Sequence, residues 1–126
     1  MRQIEQRSAD VAEMAWLAIR QPAIVSMLER DLSEISLLKP DHDALAAGLE
    51  LTTQLLGEIA EGGRLCNRVS ASDLLRAAAD VAAAGVAASV VTWTSERLAR
   101  LPVVLTDEES AAVHRVVATV FQAMQA

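Results

Sequence analysis

Residues 72–100 read SDLLRAAADVAAAGVAASVVTWTSERLAR, and this stretch decides the fold prediction. It carries no charged side chain from Val81 to Ser95, and alanine dominates its first half. Small apolar side chains on every side of a helix let neighbouring helices approach closely, which is typical of a central helix. Gly85 inside a helix costs about 1 kcal/mol relative to alanine, and close helix packing would account for it. We therefore predict one long, central helix over about 72–100.

Three further helices are predicted before this stretch from their start and stop signals. Apolar residues at helical spacing predict a helix over about 8–20 and a second from Pro22 to about 34, because proline suits the first helical position. A third helix is expected over about 41–61, since Pro40 precedes it and Gly62-Gly63 follows it. The apolar face of the third helix consists of Leu45, Leu49, Thr52, Leu56 and Ile59.

Two capping patterns mark helix starts in the C-terminal half of the chain. Ser70 with Asp73, or Ser72 alone, would cap the alanine-rich helix. Thr106 and Glu109 form a capping-box pattern that predicts a fifth helix. We therefore predict an all-α fold, a compact bundle of about five helices that forms one domain over 1–126. The apolar face of the fifth helix consists of Val113, Val116, Val117, Val120, Phe121 and Met124.

Composition excludes several classes of function. The 126 residues are 52% hydrophobic and carry a formal net charge of -6, so we expect a folded domain without direct nucleic-acid binding. The charge-free stretch 81–95 is shorter than the roughly 20 residues of a membrane span, and no secretory signal is recognised at the N-terminus. We expect a cytoplasmic protein, and ten arginines against one lysine are typical of GC-rich bacterial genomes.

The ionisable residues of the chain do not form a recognisable metal or catalytic signature. His42 stands between two aspartates and His114 is far away, so we predict no metal ligand set and no cofactor. Cys66 lies near Arg64 and Arg68, which would favour a reactive thiolate, but a nucleophile also needs a positioned base. A packing role for this cysteine is therefore the alternative, and no enzyme activity is predicted.

Asp80 is the remaining charged residue of interest in the alanine-rich stretch. We expect it to be partly buried and paired with Arg76, which lies four residues earlier on the same helix face. A structural ion pair is the simpler interpretation than a catalytic carboxylate, because no second carboxylate stands at a readable spacing.

Residues 92–95 (TWTS) form a polar and aromatic cluster with two interpretations. They would line a small ligand pocket, since such pockets are apolar with a few hydroxyl groups, or Trp93 would cover the core where the helix emerges. The candidate interface or pocket residues are Leu45, Leu49, Leu56, Gly85, Ser89, Trp93, Val117 and Phe121.

One part of the chain resembles a known family. Residues 15–24 (AWLAIRQPAI) and 38–45 (LKPDHDAL) combine an apolar helix, a polar-proline turn, a second helix and a proline- and histidine-containing turn before a leucine-rich helix. Over about 14–58 this order resembles the helicase-interacting domain of bacterial primases and the related N-terminal domain of replicative helicases. The resemblance implies docking onto a helicase or primase, without synthesis or unwinding.

The sequence therefore predicts a non-enzymatic protein–protein interaction module, a small regulator or adaptor. Its partner is another protein of unknown identity, and a homodimer is consistent with helices that carry more apolar surface than one neighbour would cover. The alternative is a small-molecule-sensing protein with a pocket near Trp93. A third hypothesis, an enzyme that uses His42, Cys66 or His114, requires at least two titratable groups that converge in a cleft.

Overall fold

The computed structural model of the protein describes residues 20–33, 43–61 and 68–125. No strand occurs within these ranges, so the all-α prediction is confirmed. The predicted helix over about 8–20 lies outside the described residues except for Arg20. The helices are α1 (Pro22–Ser33), α2 (Asp43–Glu61), α3 (Ala71–Ala84), α4 (Ala88–Leu98) and α5 (Asp107–Gln125).

Helix α5 occupies the centre of the described fold and packs against each of the other four helices. The five consecutive residues 116–120 are all buried, so this helix is enclosed on every side in its middle turns. Its valines are branched and fill more of the core than alanines would, because apolar stabilisation grows with the buried area. The valine-rich helix α5 is therefore the central helix of the described fold.

The prediction of one continuous helix over 72–100 is wrong. The chain leaves the helix at Gly85 and re-enters it at Ala88, and the axes of α3 and α4 differ by 103°. Gly85 has a φ of 80° and a ψ of 175°, a conformation that glycine adopts easily because it has no Cβ. Its N–H donates to the carbonyl of Val81, so Gly85 caps the end of α3 and does not lie inside a helix.

The expectation that the alanine-rich stretch is central is also wrong. Most residues around the bend, including 82–84 and 87–88, are exposed, whereas Leu74 and Ala77 face the core. The bend lets α3 pack against α1 and α5 while α4 packs against α2 and α5. A methyl group buries little area, so alanines alone do not hold a helix in the centre.

Of the two predicted caps for the alanine-rich helix, Ser70 with Asp73 is the one that forms, and the predicted Thr106–Glu109 capping box is confirmed. The Ser70 hydroxyl accepts from the Asp73 N–H at 3.1 Å, and the Asp73 carboxylate accepts from the Ser70 N–H at 3.3 Å. Thr106 and Glu109 make the same reciprocal pair at 3.1 and 2.9 Å. Each pair satisfies backbone N–H groups that the first helical turn leaves without partners. Local sequence thus fixes where α3 and α5 begin.

Helices α1 and α2 are in close contact at Gly48. A Cβ atom at this position would collide with the Leu32 side chain and press on Leu28. The buried Gln21 ties the start of α1 to the start of α3, because its side-chain oxygen accepts from the Val69 N–H at 2.9 Å. Helix α1 thus packs against α2, α3 and α5, whereas α4 packs against α2 and α5.

Candidate functional site

A cavity of about 300 Å³ lies between α2, α4 and α5. Its walls are mainly aliphatic and aromatic, and polar groups are confined to Glu58, Ser89 and the indole N–H of Trp93. Ligand pockets in proteins have this combination of apolar walls and few polar groups. The residues that line it are Leu55, Glu58, Ile59, Ser89, Val90, Trp93, Val117 and Phe121.

Three side chains form a polar network beside this cavity. The Trp93 indole N–H donates to one carboxylate oxygen of Glu58 at 3.2 Å, and the Arg97 guanidinium donates to the other at 2.7 Å. The guanidinium carbon of Arg97 also lies 4.1 Å from the centroid of the Trp93 ring, which is a cation–π contact. The network fixes the indole between a carboxylate and a guanidinium and compensates the charge of Glu58.

The structure brings together four of the predicted pocket or interface residues. Ser89, Trp93, Val117 and Phe121 all line the cavity, which lies where a pocket near Trp93 was expected. Whether the cavity binds a ligand stays a prediction.

The other four candidates lie elsewhere. Leu56 is fully buried in the core, and Leu45 and Leu49 are half-buried residues of α2 that pack against the core. Gly85 is exposed at the bend, and a Cβ atom added at this position would lie in open space. The expected close approach of a neighbouring helix at Gly85 is therefore absent.

Sequence reasoning missed four lining residues, Leu55, Glu58, Ile59 and Val90, as pocket residues. The spacing of Trp93 and Arg97, four residues apart on one helix face, is a signal that predicts their contact. Glu58 had no such signal, because its partners lie 35 and 39 positions later in the chain. Long-range pairs of this kind follow only from the helix packing.

Residues 92–95 lie in three environments, since Thr92 and Ser95 are exposed, Trp93 is half-buried and Thr94 is buried. Thr92 is exposed, whereas the Thr94 side chain is fully buried and its hydroxyl has no hydrogen-bond partner in the described part of the chain. Thr52 of α2 is in the same situation. An unsatisfied buried hydroxyl costs about 1–3 kcal/mol. These hydroxyl groups therefore weaken the fold, and neither residue lines the cavity.

Ser95 and His114 form a hydrogen bond between α4 and α5. The Ser95 hydroxyl is 3.1 Å from Nε2 of the imidazole, and Nδ1 is 2.7 Å from the Ser110 carbonyl. Since a carbonyl only accepts, Nδ1 is the donor to Ser110, and the Ser95 hydroxyl is able to donate to or accept from Nε2. Ser95 lies within α4, where the backbone N–H groups donate to carbonyl groups of the same helix. These N–H groups therefore do not form an oxyanion hole next to the serine.

Asp80, His42 and Cys66 are the other candidate residues from the sequence. Asp80 is exposed, so its predicted burial is wrong, and the Arg76 guanidinium lies 3.7 Å from Asp73 and not against Asp80. His42 and Cys66 lie outside the described residues. Among the residues that are described, no three His, Cys, Asp or Glu side chains group closely enough to hold a metal ion.

Helices α3 and α4 and the bend between them expose small and apolar side chains. Leu75 is 64% exposed and Val91 is 39% exposed, and no charged residue occurs from 81 to 95. Within the described ranges, no single helix is both apolar enough and long enough to cross a membrane. Helices α3 and α4 reach that length and apolar character only when they are taken together as a bent pair. We call this the small-residue surface, and it consists of Leu75, Ala79, Ala82, Ala83, Ala84, Ala87, Ala88 and Val91.

Comparisons of this chain with protein-family models, with curated proteins and with solved structures find no match. The resemblance to primase and helicase domains stays a prediction for this reason.

Proposed function

We propose that this chain is a non-enzymatic protein-interaction module that binds through the small-residue surface. The observation that carries the proposal is the exposure of a charge-free, alanine-rich stretch that the sequence pattern predicts to be buried. Apolar side chains such as Leu75 and Val91 gain about 25 cal/mol for each Å² removed from water. A second protein chain on this surface would provide that burial.

The partner to which we commit is a second copy of the chain. A two-fold dimer places the same surface of each copy against the other, so the surface must be compatible with itself. The stretch 81–95 contains no charge, so a symmetric contact centred on it buries no like charges although each chain carries a net charge of -6. Arg76 and Asp80 are exposed beside Leu75 and Ala79 and would lie at the rim of this contact. The small side chains of residues 82–84 also allow the two backbones to approach closely.

Solution mass as a function of protein concentration tests this proposal. We expect a dimer by light scattering coupled to size exclusion, and a monomer for the Ala83→Lys and Ala87→Lys variants, because each would bury an ammonium group in the contact. Ala46→Lys is the matched control, since Ala46 is an exposed helical alanine of α2 away from this surface. A wild-type monomer at all concentrations, or a dimer that survives both surface variants, would contradict the proposal.

Replicative helicases and primases are the first heterologous partners to test, because the resemblance over about 14–58 implies them. Purified helicase and primase would be titrated with the labelled chain and with the Ala83→Lys variant. We expect saturable binding that the substitution weakens if the small-residue surface serves both contacts. Binding that tolerates Ala83→Lys would assign the contact to the 14–58 segment, and absence of binding would remove the resemblance as a guide.

A further inference from the structure

We propose that the cavity between α2, α4 and α5 binds an uncharged amphiphile, a molecule with an apolar body and one terminal hydroxyl or carbonyl group. This site is separate from the small-residue surface of the proposed function. The cavity residues named above define it, and its chemistry can be read from its walls, its volume and the network at Glu58.

The walls select the body of the ligand. Leu55, Ile59 and Val90 present aliphatic groups, and Phe121 adds an aromatic ring beside the Trp93 indole. An apolar cavity of about 150 Å³ is large enough for benzene. The volume of about 300 Å³ is twice that, which suits an eight-carbon chain or a two-ring molecule. Transfer of such a body from water is favourable in proportion to its apolar area.

The network at Glu58 selects the charge of the ligand. Both carboxylate oxygens already accept hydrogen bonds, one from Trp93 and one from Arg97. An anionic ligand would face this carboxylate, and a cationic ligand would have to displace the 2.7 Å contact with Arg97. Among the lining residues, Ser89 is left to meet a neutral polar end, because its hydroxyl both donates and accepts.

The ligand series 1-octanol, octanoate and octylammonium tests both selections, because the three probes share one chain and differ in charge. The Trp16→Phe background leaves Trp93 as the reporter, since the chain has two tryptophans. We expect saturable 1:1 binding of 1-octanol by calorimetry, together with a shift of the Trp93 emission. Octanoate and octylammonium should bind about tenfold more weakly or worse, since their charges would have to be desolvated.

A pair of variants locates the site. Ser89→Phe fills the cavity from its edge, and Thr92→Phe is the matched control, an exposed hydroxyl residue of α4 that does not line the cavity. We expect 1-octanol to raise the Tm of the parent and of Thr92→Phe but not of Ser89→Phe. Both variants should keep the helical far-ultraviolet spectrum of the parent, which separates loss of binding from loss of folding.

Three outcomes would overturn the inference. Absence of saturable 1-octanol binding would show that the cavity takes no such ligand, and equal binding by Ser89→Phe would place the ligand elsewhere. Tighter binding of octanoate or octylammonium than of 1-octanol would refute the choice of an uncharged class. Each outcome is independent of the dimer measurement, so failure here leaves the proposed function standing.

Discussion

Helix α5 and the stretch 71–98 are both apolar, but the fold uses them in opposite ways. Helix α5 packs against all four other described helices, whereas 71–98 bends at Gly85 and exposes most of its alanines. The two regions differ in side-chain size more than in polarity. Burial rewards area, so the branched valines of α5 gain more from the centre than the methyl groups of α3 do.

An apolar helical stretch without charges, such as most of 81–95, is therefore not necessarily buried in the core. Alanine is a strong helix former even where packing contributes little. Helices α3 and α4 therefore form at the surface, and the absence of charges over 81–95 leaves a surface on which a partner can sit. The alanine content predicts helix formation, and the valine content predicts the position of the core.

The largest difference in stability is expected between a lysine placed in the core of α5 and a lysine placed next to the bend. Val113→Lys should cost about 4 kcal/mol or more, because an ammonium group would be buried without a partner. Ala83→Lys should change the stability of the monomer by about 0.5 kcal/mol at most, since Ala83 is exposed. Urea unfolding at a concentration below dimer formation measures both. Equal costs would show that Ala83 is buried within the chain and would refute the comparison.

The next effect concerns the bend. Gly85→Ala should cost about 1–3 kcal/mol, because an L-residue strains at a φ of 80° and a ψ of 175° even though there is open space around it. Backbone chemical shifts of residues 85–87 should keep their non-helical values. If the variant instead becomes helical through 84–88 and more stable, the bend depends on glycine alone and a continuous helix would be restored.

The third effect tests where the chain uses glycine for close packing. Gly48→Ala should destabilise by about 1 kcal/mol or more, since overpacking against Leu32 costs more than the helix preference of alanine returns. Gly57→Ala is the control in the same helix and should stabilise by about 1 kcal/mol, because open space surrounds this position. Thermal unfolding compares the two. The same sign for both variants would contradict close contact of α1 and α2 at Gly48.

The smallest effect compares buried threonines of α4 and α5. Thr94→Val should stabilise by about 1 kcal/mol, because it removes a buried hydroxyl that has no partner in the described part of the chain. Thr119→Val should cost about 1 kcal/mol, since the Thr119 hydroxyl donates to the Arg115 carbonyl at 2.8 Å. Chemical denaturation of the two variants gives the difference. A loss of stability in Thr94→Val would reveal a partner for that hydroxyl.

Much of the secondary structure was predictable because its signals are local. Ser70 with Asp73 and Thr106 with Glu109 act over three residues, so their helix starts follow from the sequence alone. Gly85 was misread because glycine is compatible with both a tightly packed helix interior and a helix end. The φ of Gly85 distinguishes the two, and it is a property of the folded backbone.

The candidate site was predictable only in part. Trp93 is a candidate because it lies among hydroxyl residues at 92–95, a combination typical of pockets, and Phe121 belongs to the apolar face of the fifth helix. Leu55 and Val90 carry no local signal beyond an apolar side chain, and Glu58 carries none beyond a charge near the end of a helix. Their common role arises when α2 and α4 meet beside α5.

The sequence by itself determined that the fold is all-α, where α3 and α5 begin, and that the alanine-rich stretch carries no charge over 81–95. Only the tertiary structure decided which helix is central, where that stretch bends and which side chains meet Glu58. The physical reason is the range of the interactions. Caps and helix preferences act between near neighbours, whereas a central position is won in competition among all helices for buried area.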